Sequence, residues 1–354
     1  MSSSNDVEYP RKILDYMEGF LVSKTLFASC ELGVYDLLLA SERPLSAVEV
    51  ARGLGASEDG MERLLSACVG LQLLTAQPGD AEVLYSNTEM SKTYLTKSSP
   101  QSLYHSIQYN SKTIYLCWHY LTDAVRSEVR LGPIVADREE GNCPLDARRD
   151  CRHGNERSDE EMVKFMQLMN SIWNICGKDV VMAFDLSPFK TIYDLGGCSG
   201  ALAKQCVAAY PGSTVTIFDL PKVVHTAKEC FVSAEDGRIL FHEGDFFKDP
   251  LPEADLYILA RILHDWSDER SLELLTKVQR SCKPGGGVLL VEALLHEDNS
   301  GPLTAQLYSL NMLVQTEGKE RKASEYGALL TAAGFAQVQV QRTGKIYDAV
   351  LGRK

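Results

Sequence analysis

The chain has 354 residues, which is enough for about two domains and a sizeable apolar core. Its 36 Lys and Arg residues against 48 Asp and Glu residues give a formal net charge of −12, which disfavours broad binding to nucleic acid or to an anionic membrane. The ten cysteines lack metal-type paired spacings, the amino terminus is polar, and no apolar run approaches the ~20 residues of a membrane span. We therefore expect a cytoplasmic protein with reduced thiols that does not enter a membrane.

The first hundred residues carry mostly helical patterns. Apolar residues recur at three- and four-residue steps over residues 13–21 and 61–69. Residues 73–85, interrupted at Pro78-Gly79, predict a β-hairpin. Helices followed by such a hairpin predict a winged-helix-like domain over residues 1–110.

Winged-helix domains can bind DNA, so two functions are open for this region. The third predicted helix begins with Glu58, Asp59 and Glu62 against a single cation, Arg63, whereas contacts to DNA phosphates require positive charge. A packing or dimerisation domain is therefore favoured. The alternative, a DNA-binding regulator, would predict salt-dependent retention on duplex DNA.

Residues 111–187 are predicted to form a helical linker around an atypical loop. Helical patterns cover residues 115–125 and 160–175, whereas residues 128–156 are charged and polar with almost no apolar periodicity. Such a composition cannot bury enough surface to offset its ordering entropy, so we expect a loose loop. Three residues of this loop could be considered as zinc ligands: Cys143, Cys151 and His153. Because none belongs to a paired C-x-x-C knuckle, we expect no metal there.

Residues 188–354 alternate between strand and helix patterns. The predicted strands are residues 191–195, 213–218, 238–242, 254–259, 288–291, 336–341 and 346–351. The glycine-rich residues 283–287 predict a turn before the fifth strand, and Gly344 predicts the turn of a terminal hairpin. Parallel units closed by a hairpin predict an α/β fold with a doubly wound, mostly parallel seven-stranded sheet that contains one reversed strand.

The first predicted strand leads into a glycine turn and a helix, in the segment Thr191-Ile192-Tyr193-Asp194-Leu195-Gly196-Gly197-Cys198-Ser199-Gly200. An open α/β sheet offers backbone N–H groups to a ligand at such a place. The spacing is not the G-x-G-x-x-G of dinucleotide folds, and the carboxylate of Asp194 suits a cationic or hydroxyl-bearing ligand better than a pyrophosphate. A tight turn with no ligand is an equally good interpretation of these residues alone.

Further candidate ligand-binding residues follow the next strands. Asp219 ends the second strand, where it could accept hydrogen bonds from both hydroxyls of a ribose or cap the helix that begins near Pro221. Gly244-Asp245-Phe246 follows the third strand and offers close backbone approach, an acceptor and an aromatic face, which suit an adenine; a plain turn is the alternative. Trp173 could attract a sulfonium by a cation–π interaction or belong to the core.

His264 is the candidate for acid–base chemistry. It follows the fourth strand beside Asp265, while Glu292 ends the fifth strand and Glu320 lies in a later loop. A histidine with carboxylates in reach can act as a general base, because the acid fixes the tautomer and stabilises the imidazolium. A phenol has a pKa near ~10 and a histidine near ~6.5, so proton removal must be coupled to attack on an electrophile. The alternative is a structural histidine packed against its own loop.

Taken together, these motifs resemble the S-adenosylmethionine-dependent small-molecule O-methyltransferases. The matching segments are Asp194-Leu195-Gly196-Gly197-Cys198-Ser199-Gly200, Phe218-Asp219-Leu220-Pro221, Gly244-Asp245-Phe246-Phe247, His264-Asp265-Trp266-Ser267-Asp268 and Gly318-Lys319-Glu320-Arg321. Almost the whole chain also resembles the members that methylate the 5-hydroxyl of N-acetylserotonin, a phenolic indole. The resemblance implies S-adenosylmethionine as cofactor, no metal, and a homodimer whose amino-terminal domains interlock.

The resemblance also implies a role for each candidate residue. The cofactor would be bound by Trp173, Asp194, Gly196, Asp219, Gly244, Asp245, Phe246 and Arg261. His264 would be the general base, with Glu292 and Glu320 as the acids that orient it. The indole substrate would face Asp265, Asn311 and Gln315.

Residues 128–156 depart from the family pattern, which has there an apolar helical segment ending in a tyrosine just before Arg-Ser. In this chain Glu156 precedes Arg157-Ser158. The family tyrosine contacts the cofactor, so we expect weaker cofactor binding and lower activity. A catalytically weakened or inactive dimerisation partner is therefore the second hypothesis for the function.

Overall fold

The computed structural model describes residues 10–80, 82–127, 159–232 and 237–354. The chain divides into two compact units, Met1–Ser111 and Lys112–Lys354. The segment 128–156, with its three possible zinc ligands, lies outside the described residues. None of the described helices combines the length and the apolar character needed to cross a membrane.

The amino-terminal unit is mostly helical and contains a small antiparallel sheet. Its described helices are α1 (Arg11–Leu32), α2 (Val34–Ala40), α3 (Ala47–Leu54), α4 (Glu58–Gly70), α5 (Glu89–Tyr94) and α6 (Tyr104–Tyr109). The strands are β1 (Leu45–Ser46), β2 (Leu74–Pro78) and β3 (Val83–Asn87), in the order β1-β3-β2. The predicted hairpin is confirmed, because β2 and β3 pair antiparallel with Leu74 opposite Asn87.

Local signals set the ends of these helices. The Ser46 side chain accepts a hydrogen bond from the N–H of Glu49, and the Glu49 carboxylate accepts one from the N–H of Ser46, which starts α3 with a capping box. Gly33 adopts a φ of 84°, a left-handed conformation that ends α1 and turns the chain into α2.

Helix α1 carries an exposed apolar stripe. Ile13, Tyr16, Met17 and Phe20 recur at three- and four-residue steps and are 53 to 65% exposed. Large apolar side chains grouped on one helix face in this way indicate an interaction surface.

The carboxy-terminal unit begins with helical segments. A π-helical turn (Asn110–Ile114) spans its boundary and is followed by α7 (Tyr115–Cys117), a 3₁₀ turn (Trp118–Tyr120) and α8 (Leu121–Ser127). The helix predicted over residues 115–125 is therefore divided by the 3₁₀ turn. That turn directs the Trp118 indole to a later helix, where its Nε1–H donates to Asn311 Oδ1 over 2.9 Å.

The rest of this unit alternates strands with helices. The helices are α9 (Asp159–Val181), α10 (Ala201–Ala209), α11 (Pro221–Cys230), α12 (Asp268–Ser281), α13 (Leu303–Gln315) and α14 (Ala323–Ala332). The strands are β4 (Thr191–Leu195), β5 (Thr214–Asp219), β6 (Ile239–Glu243), β7 (Ala254–Ala260), β8 (Cys282–Glu292), β9 (Ala336–Gln341) and β10 (Asp348–Arg353).

Within the described residues, these seven strands form one sheet in the order β6-β5-β4-β7-β8-β10-β9. Strands β4 to β8 pair in parallel, and β10 runs antiparallel to both β8 and β9. The predicted mostly parallel sheet with one reversed strand is confirmed. The chain winds outward from β4 to β6 and then crosses to β7 on the other side of β4, which creates a switch point where such sheets bind ligands.

Strand β8 begins earlier than predicted. Residues 283–287, predicted to form a turn, lie inside Cys282–Glu292. The pairing with β7 shifts register between Ala254, which is opposite Cys282, and Leu256, which is opposite Gly287. The prediction of a turn before the strand was wrong, because β8 already pairs with β7 at Cys282 and the glycines form an irregularity before pairing resumes at Gly287.

Apolar clusters cover both faces of the sheet. Ile258 of β7 packs in a cluster with residues of α9 and α10, whereas the next residue, Leu259, packs with residues of α12 and α14. Both side chains are fully buried, as expected for a central parallel strand with helices on each side.

Truncation of Leu259 tests this arrangement. Leu259→Ala removes a fully buried side chain and should lower the free energy of unfolding by about 2–5 kcal/mol, through lost burial and the cavity left behind. Leu240→Ala, at a position that is 48% exposed on the edge strand β6, is the control and should cost about 1 kcal/mol or less. Urea unfolding measures both changes, and equal costs would contradict the described core.

Candidate active site

Two carboxylates lie at the carboxyl ends of β4 and β5. Asp219 accepts hydrogen bonds from the N–H of Cys198, in the glycine turn, at 2.9 Å and from the N–H of Leu220 at 2.8 Å. Leu220 is the N-cap residue of α11, so Asp219 does not occupy the cap position that was the alternative interpretation of this residue. Asp194 is only 2% exposed, and its Oδ2 has no hydrogen-bond partner among the described residues.

Burial governs the ionisation of these two carboxyl groups. It raises the pKa of Asp194 to about 7, with a further contribution from the negative charge of Asp219. Burial also raises the pKa of Asp219 to about 6, against the two hydrogen bonds that favour its charged form. A buried carboxylate oxygen without a partner is suited to a ligand that brings a positive charge or a hydrogen-bond donor.

Two glycines keep the backbone close to these carboxylates. Gly196 has a φ of 70°, and a Cβ there would lie 2.5 Å from Ile262 Cδ1. A Cβ on Gly244 would lie 2.6 Å from Phe218 Cζ. Phe246 packs near Gly196, at 3.7 Å from the position of such a Cβ. A larger residue would therefore clash with the segment after β7 at Gly196 and with β5 at Gly244.

Asp245 and Trp173 lie in different surroundings. Asp245 Oδ1 accepts from the N–H of Phe247 at 2.9 Å, and its Oδ2 lies 2.9 Å from Lys248 Nζ, so this carboxylate also shapes its own loop. Trp173, on α9, is buried in the apolar core, with its ring centroid 5.3 Å from that of Tyr347. The Arg261 guanidinium lies 5.1 Å from the same tyrosine ring. Tyr347 therefore contacts both the Trp173 ring and the Arg261 guanidinium.

Arg261, His264, Glu292 and Glu320 form one buried cluster where β7 and β8 end. Arg261 Nη1 donates to Glu292 Oε2 at 3.1 Å and to Glu320 Oε2 at 2.9 Å, and Nη2 donates to Glu320 Oε1 at 2.6 Å. Glu292 Oε1 also accepts from the N–H of Leu263 at 3.0 Å. The cluster thus joins two strand ends to the loop that precedes α14.

The imidazole of His264 lies between groups of opposite character. Its Nδ1 is 2.9 Å from Arg261 Nη2, which can only donate, and 3.3 Å from Glu320 Oε1, which can accept. Its Nε2 is 3.5 Å from Asp265 Oδ1. When Nδ1–H donates to Glu320, Nε2 carries the lone pair that a base needs; when Nδ1 accepts from Arg261, Nε2 carries the hydrogen in the neutral ring.

The charges of the cluster shift its pKa values in different directions. Burial and the Arg261 charge disfavour the imidazolium, but the acids around the ring outweigh them and raise the pKa of His264. Burial raises the pKa of Glu292 to about 7 despite the opposite charges of His264 and Arg261. For Glu320, burial is outweighed by the charge of Arg261 and by the hydrogen bonds it accepts, which lower its pKa to about 2.

Three potential metal-ligand atoms of His264, Glu292 and Glu320 lie within 4.8 Å of one another. The guanidinium of Arg261 pairs with both carboxylates, so half of their negative charge is already compensated by a protein cation. The arrangement fits an oriented imidazole better than a metal-ligand set.

The predicted substrate residues lie on α13 and beside the base. Asn311 Oδ1 accepts from Trp118, and Gln315, one turn later, donates from Nε2 to the Asn311 carbonyl at 3.4 Å. Tyr308, one turn before Asn311, has its ring centroid 5.8 Å from the Arg261 guanidinium. The same helix therefore carries the predicted substrate residues and a contact to the base cluster.

Tyr308 and Tyr347, the two aromatic residues over Arg261, were not among the residues predicted from the sequence. Tyr308 precedes Asn311 by three residues, so helical periodicity could have indicated it. Tyr347 precedes the reversed strand β10, and only the sheet order brings it to the site.

Comparison with known proteins assigns this chain to a family. Residues 118–336 match the profile of an O-methyltransferase domain, and residues 14–97 match that of an O-methyltransferase dimerisation domain. The chain belongs to the O-methyltransferase family. This O-methyltransferase is 61% identical to acetylserotonin O-methyltransferase of Gallus gallus over 354 residues, and 50% identical to that of Homo sapiens over 356 residues, with 100% of each chain covered in both cases.

Solved structures agree. A crystal structure of human N-acetylserotonin methyltransferase in complex with SAM matches the O-methyltransferase with a TM-score of 0.90 and 49% identity, covering 100% of this chain and 99% of that one. A structure of PigF with SAH matches with a TM-score of 0.81 and 25% identity, covering 98% and 100%.

The buried Asp194 predicts a pH dependence of stability for the O-methyltransferase. An aspartate in the unfolded chain ionises near pH ~4, whereas the pKa of Asp194 in the folded protein is about 7. The folded state therefore binds the extra proton between these values, so the free energy of unfolding falls as pH rises from about 4 to about 7. Asp194→Asn should reduce this slope, measured as urea midpoints across that range without ligand. The surface variant Asp59→Asn is the control, and an unchanged slope in Asp194→Asn would contradict the assignment.

Proposed function

We propose that this O-methyltransferase transfers the methyl group of S-adenosylmethionine to the 5-hydroxyl of N-acetylserotonin, giving melatonin and S-adenosylhomocysteine. The observation that carries the reaction is the buried imidazole of His264, held within 3.3 Å of Glu320 at the carboxyl end of the sheet. The substrate is inferred from the relatives that are 61% and 50% identical over their full lengths.

The residues at the ends of β4, β5 and β6 fit the methyl donor. The unpartnered Oδ2 of Asp194 would accept from its amino group or face its positive charge, and Asp219 would accept from its ribose hydroxyls. Gly196, together with the loop Gly244-Asp245-Phe246, would let the backbone and an aromatic ring approach the adenine. When bound, S-adenosylmethionine supplies an electrophilic methyl group on a sulfonium.

His264 is proposed as the general base. With Nδ1–H donating to Glu320, the lone pair of Nε2 takes the phenolic proton while the oxygen forms its bond to the methyl carbon. Glu320 then stabilises the imidazolium at Nδ1, and Asp265 lies 3.5 Å from Nε2. Glu292 pairs with Arg261 and with the Leu263 N–H, so it acts as a positioning residue. Much of the rate would come from holding the oxygen, the methyl group and the base in line.

Arg261 would act through the same cluster, by compensating the charges of Glu292 and Glu320 close to the cofactor. Asp265, Asn311 and Gln315 are proposed to face the indole. Their acceptor and donor groups are suited to an indole N–H and to an acetamide.

We also propose a homodimer in the cytoplasm. The exposed stripe of α1 and the dimerisation-domain match over residues 14–97 support an interface on this helix. No disulfide links the cysteines of the described residues, which fits a reducing compartment.

The second hypothesis, an inactive dimerisation partner, is not favoured. It rested on residues 128–156, whereas the base cluster at the end of the sheet is complete and the relatives match over the full length. The expected loss of activity from that segment stays a prediction.

Methyl transfer to N-acetylserotonin tests the proposal directly. His264→Gln should lower kcat by about 10²–10⁴-fold because the proton acceptor is lost, while the dissociation constant of S-adenosylmethionine changes by about threefold or less. His225→Gln, on the exposed face of α11, is the control and should retain the rate. An analogue without the 5-hydroxyl should not be methylated. Equal rates for the wild type and His264→Gln would rule out this base.

The oligomeric state tests the α1 interface. Phe20→Glu places a charge on the apolar stripe and should convert a dimer to monomers in size-exclusion chromatography with light scattering, because an unpaired charge is costly at an apolar interface. Glu18→Gln, on the opposite side of α1, should leave the dimer intact. A monomeric wild type, or a dimeric Phe20→Glu protein, would overturn the assignment.

A further inference from the structure

His264 lies in a 3₁₀ turn, Leu263–Asp265, between β7 and α12. The turn follows Arg261, which adopts a φ of 59°, a left-handed conformation that side-chain-bearing residues rarely take. Such backbone persists only where surrounding contacts hold it. The position of the imidazole therefore depends on what fixes this turn.

Arg321 contacts the backbone on both sides of His264. Its Nη1 donates to the carbonyl of Leu263 at 2.7 Å, and its Nη2 donates to the carbonyl of Trp266 at 2.7 Å. Its Nε donates to Asp268 Oδ1, at the start of α12, at 2.8 Å. Arg321 is fully buried, and the planar fork of a guanidinium can satisfy several acceptors at fixed positions where an ammonium cannot.

Two neighbours of Arg321 contact the same turn. Glu320 holds the His264 side chain at Nδ1. A Cβ on Gly318 would overlap the carbonyl oxygen of His264 and lie 2.6 Å from the carbonyl carbon of Asp265, so only a glycine allows this approach. The loop thus fixes the turn through its backbone, by Gly318 and Arg321, and fixes the ring, by Glu320.

We propose that Arg321 is a positioning residue for methyl transfer, which holds the turn of His264 so that Nδ1 faces the acceptor Glu320 and Nε2 stays free to accept a proton. The inference rests on the proposed function of His264 as base and extends it to a residue that does not touch the ring. Nδ1 lies only 2.9 Å from the competing donor Arg261. Glu320 Oε1 lies at 3.3 Å, so a small displacement of the turn away from Glu320 leaves Nδ1 with Arg261 alone and places the hydrogen on Nε2.

Arg321→Lys and Gly318→Ala test the proposal in the full-length enzyme. Arg321→Lys keeps the charge but cannot reach both carbonyls, and Gly318→Ala displaces the turn without removing any polar group. Both should lower kcat by about 10- to 100-fold, with the dissociation constant of S-adenosylmethionine changed by about threefold or less. The acidic limb of the kcat–pH profile should move to lower pH, because an imidazole that loses its carboxylate partner is a weaker base.

Each variant has a matched control. Lys319→Met removes the neighbouring cation of the same loop, whose ammonium pairs with Glu325 at 2.8 Å. Gly327→Ala adds a Cβ that meets nothing within 4 Å. Both controls should keep the wild-type kcat and pH profile.

The outcomes separate this inference from the proposed function. If His264→Gln is inactive but folded Arg321→Lys or Gly318→Ala keeps the wild-type kcat and pH profile, the positioning role is wrong and the base assignment stands. A lower kcat with an unmoved acidic limb would assign Arg321 a structural role only and would also overturn the inference. If His264→Gln itself keeps full activity, the proposed function fails first. Should Arg321→Lys not fold, as judged by thermal melting and donor binding, Gly318→Ala gives the same readouts.

Discussion

The guanidinium of Arg261 lies between the carboxylates of Glu292 and Glu320, and all three side chains are buried. Burial of an ion costs several kcal/mol unless an opposite charge and hydrogen bonds compensate for it. Here one cation compensates for two carboxylates, and the carboxylates in turn bind the His264 ring and the Leu263 N–H. Loss of Arg261 would leave both carboxylates without a cation in the interior, so the geometry of the cluster depends on this one residue.

The sheet brings this cluster next to the glycine turn. Arg261 follows β7 and Glu292 ends β8, while Asp194 and Asp219 lie at the ends of β4 and β5. Because β4 pairs in parallel with β7, the two groups of residues meet at the same edge, on either side of the switch point. A donor bound over β4 and β5 would therefore lie beside a base carried by the turn after β7.

The strand ends could be predicted from the sequence because their chemistry is local. An apolar run that reaches Asp194 or Asp219 identifies a buried strand and its carboxyl end together. The bulge in β8 could not be predicted, because the glycines of residues 283–287 are typical of a turn, and only the pairing of Cys282 and Gly287 with β7 includes them in a strand. At these residues, pairing with a neighbouring strand outweighs the local preference for a turn.

Contacts across long stretches of sequence were also beyond prediction. Arg321 contacts Leu263 only because the loop before α14 packs against the turn that precedes α12. No periodicity in the sequence indicates that contact. The same holds for the choice of hydrogen-bond partner at His264 Nδ1. Its distances to Arg261 and Glu320 differ by only a few tenths of an ångström. The motif Gly318-Lys319-Glu320-Arg321 could be recognised in the sequence. The different contacts that Gly318, Glu320 and Arg321 make with the turn of His264 could not.

The reversed strand β10 lies between β8 and β9, and Tyr347, just before it, lies over Arg261. During synthesis on the ribosome, β8 and its catalytic edge are made dozens of residues before their neighbour in the sheet. Until residues 348–353 leave the exit tunnel, one side of β8 has unpaired backbone groups, and Arg261 lacks one of its two aromatic neighbours. The nascent chain therefore completes its reaction centre only after its last strand has been made.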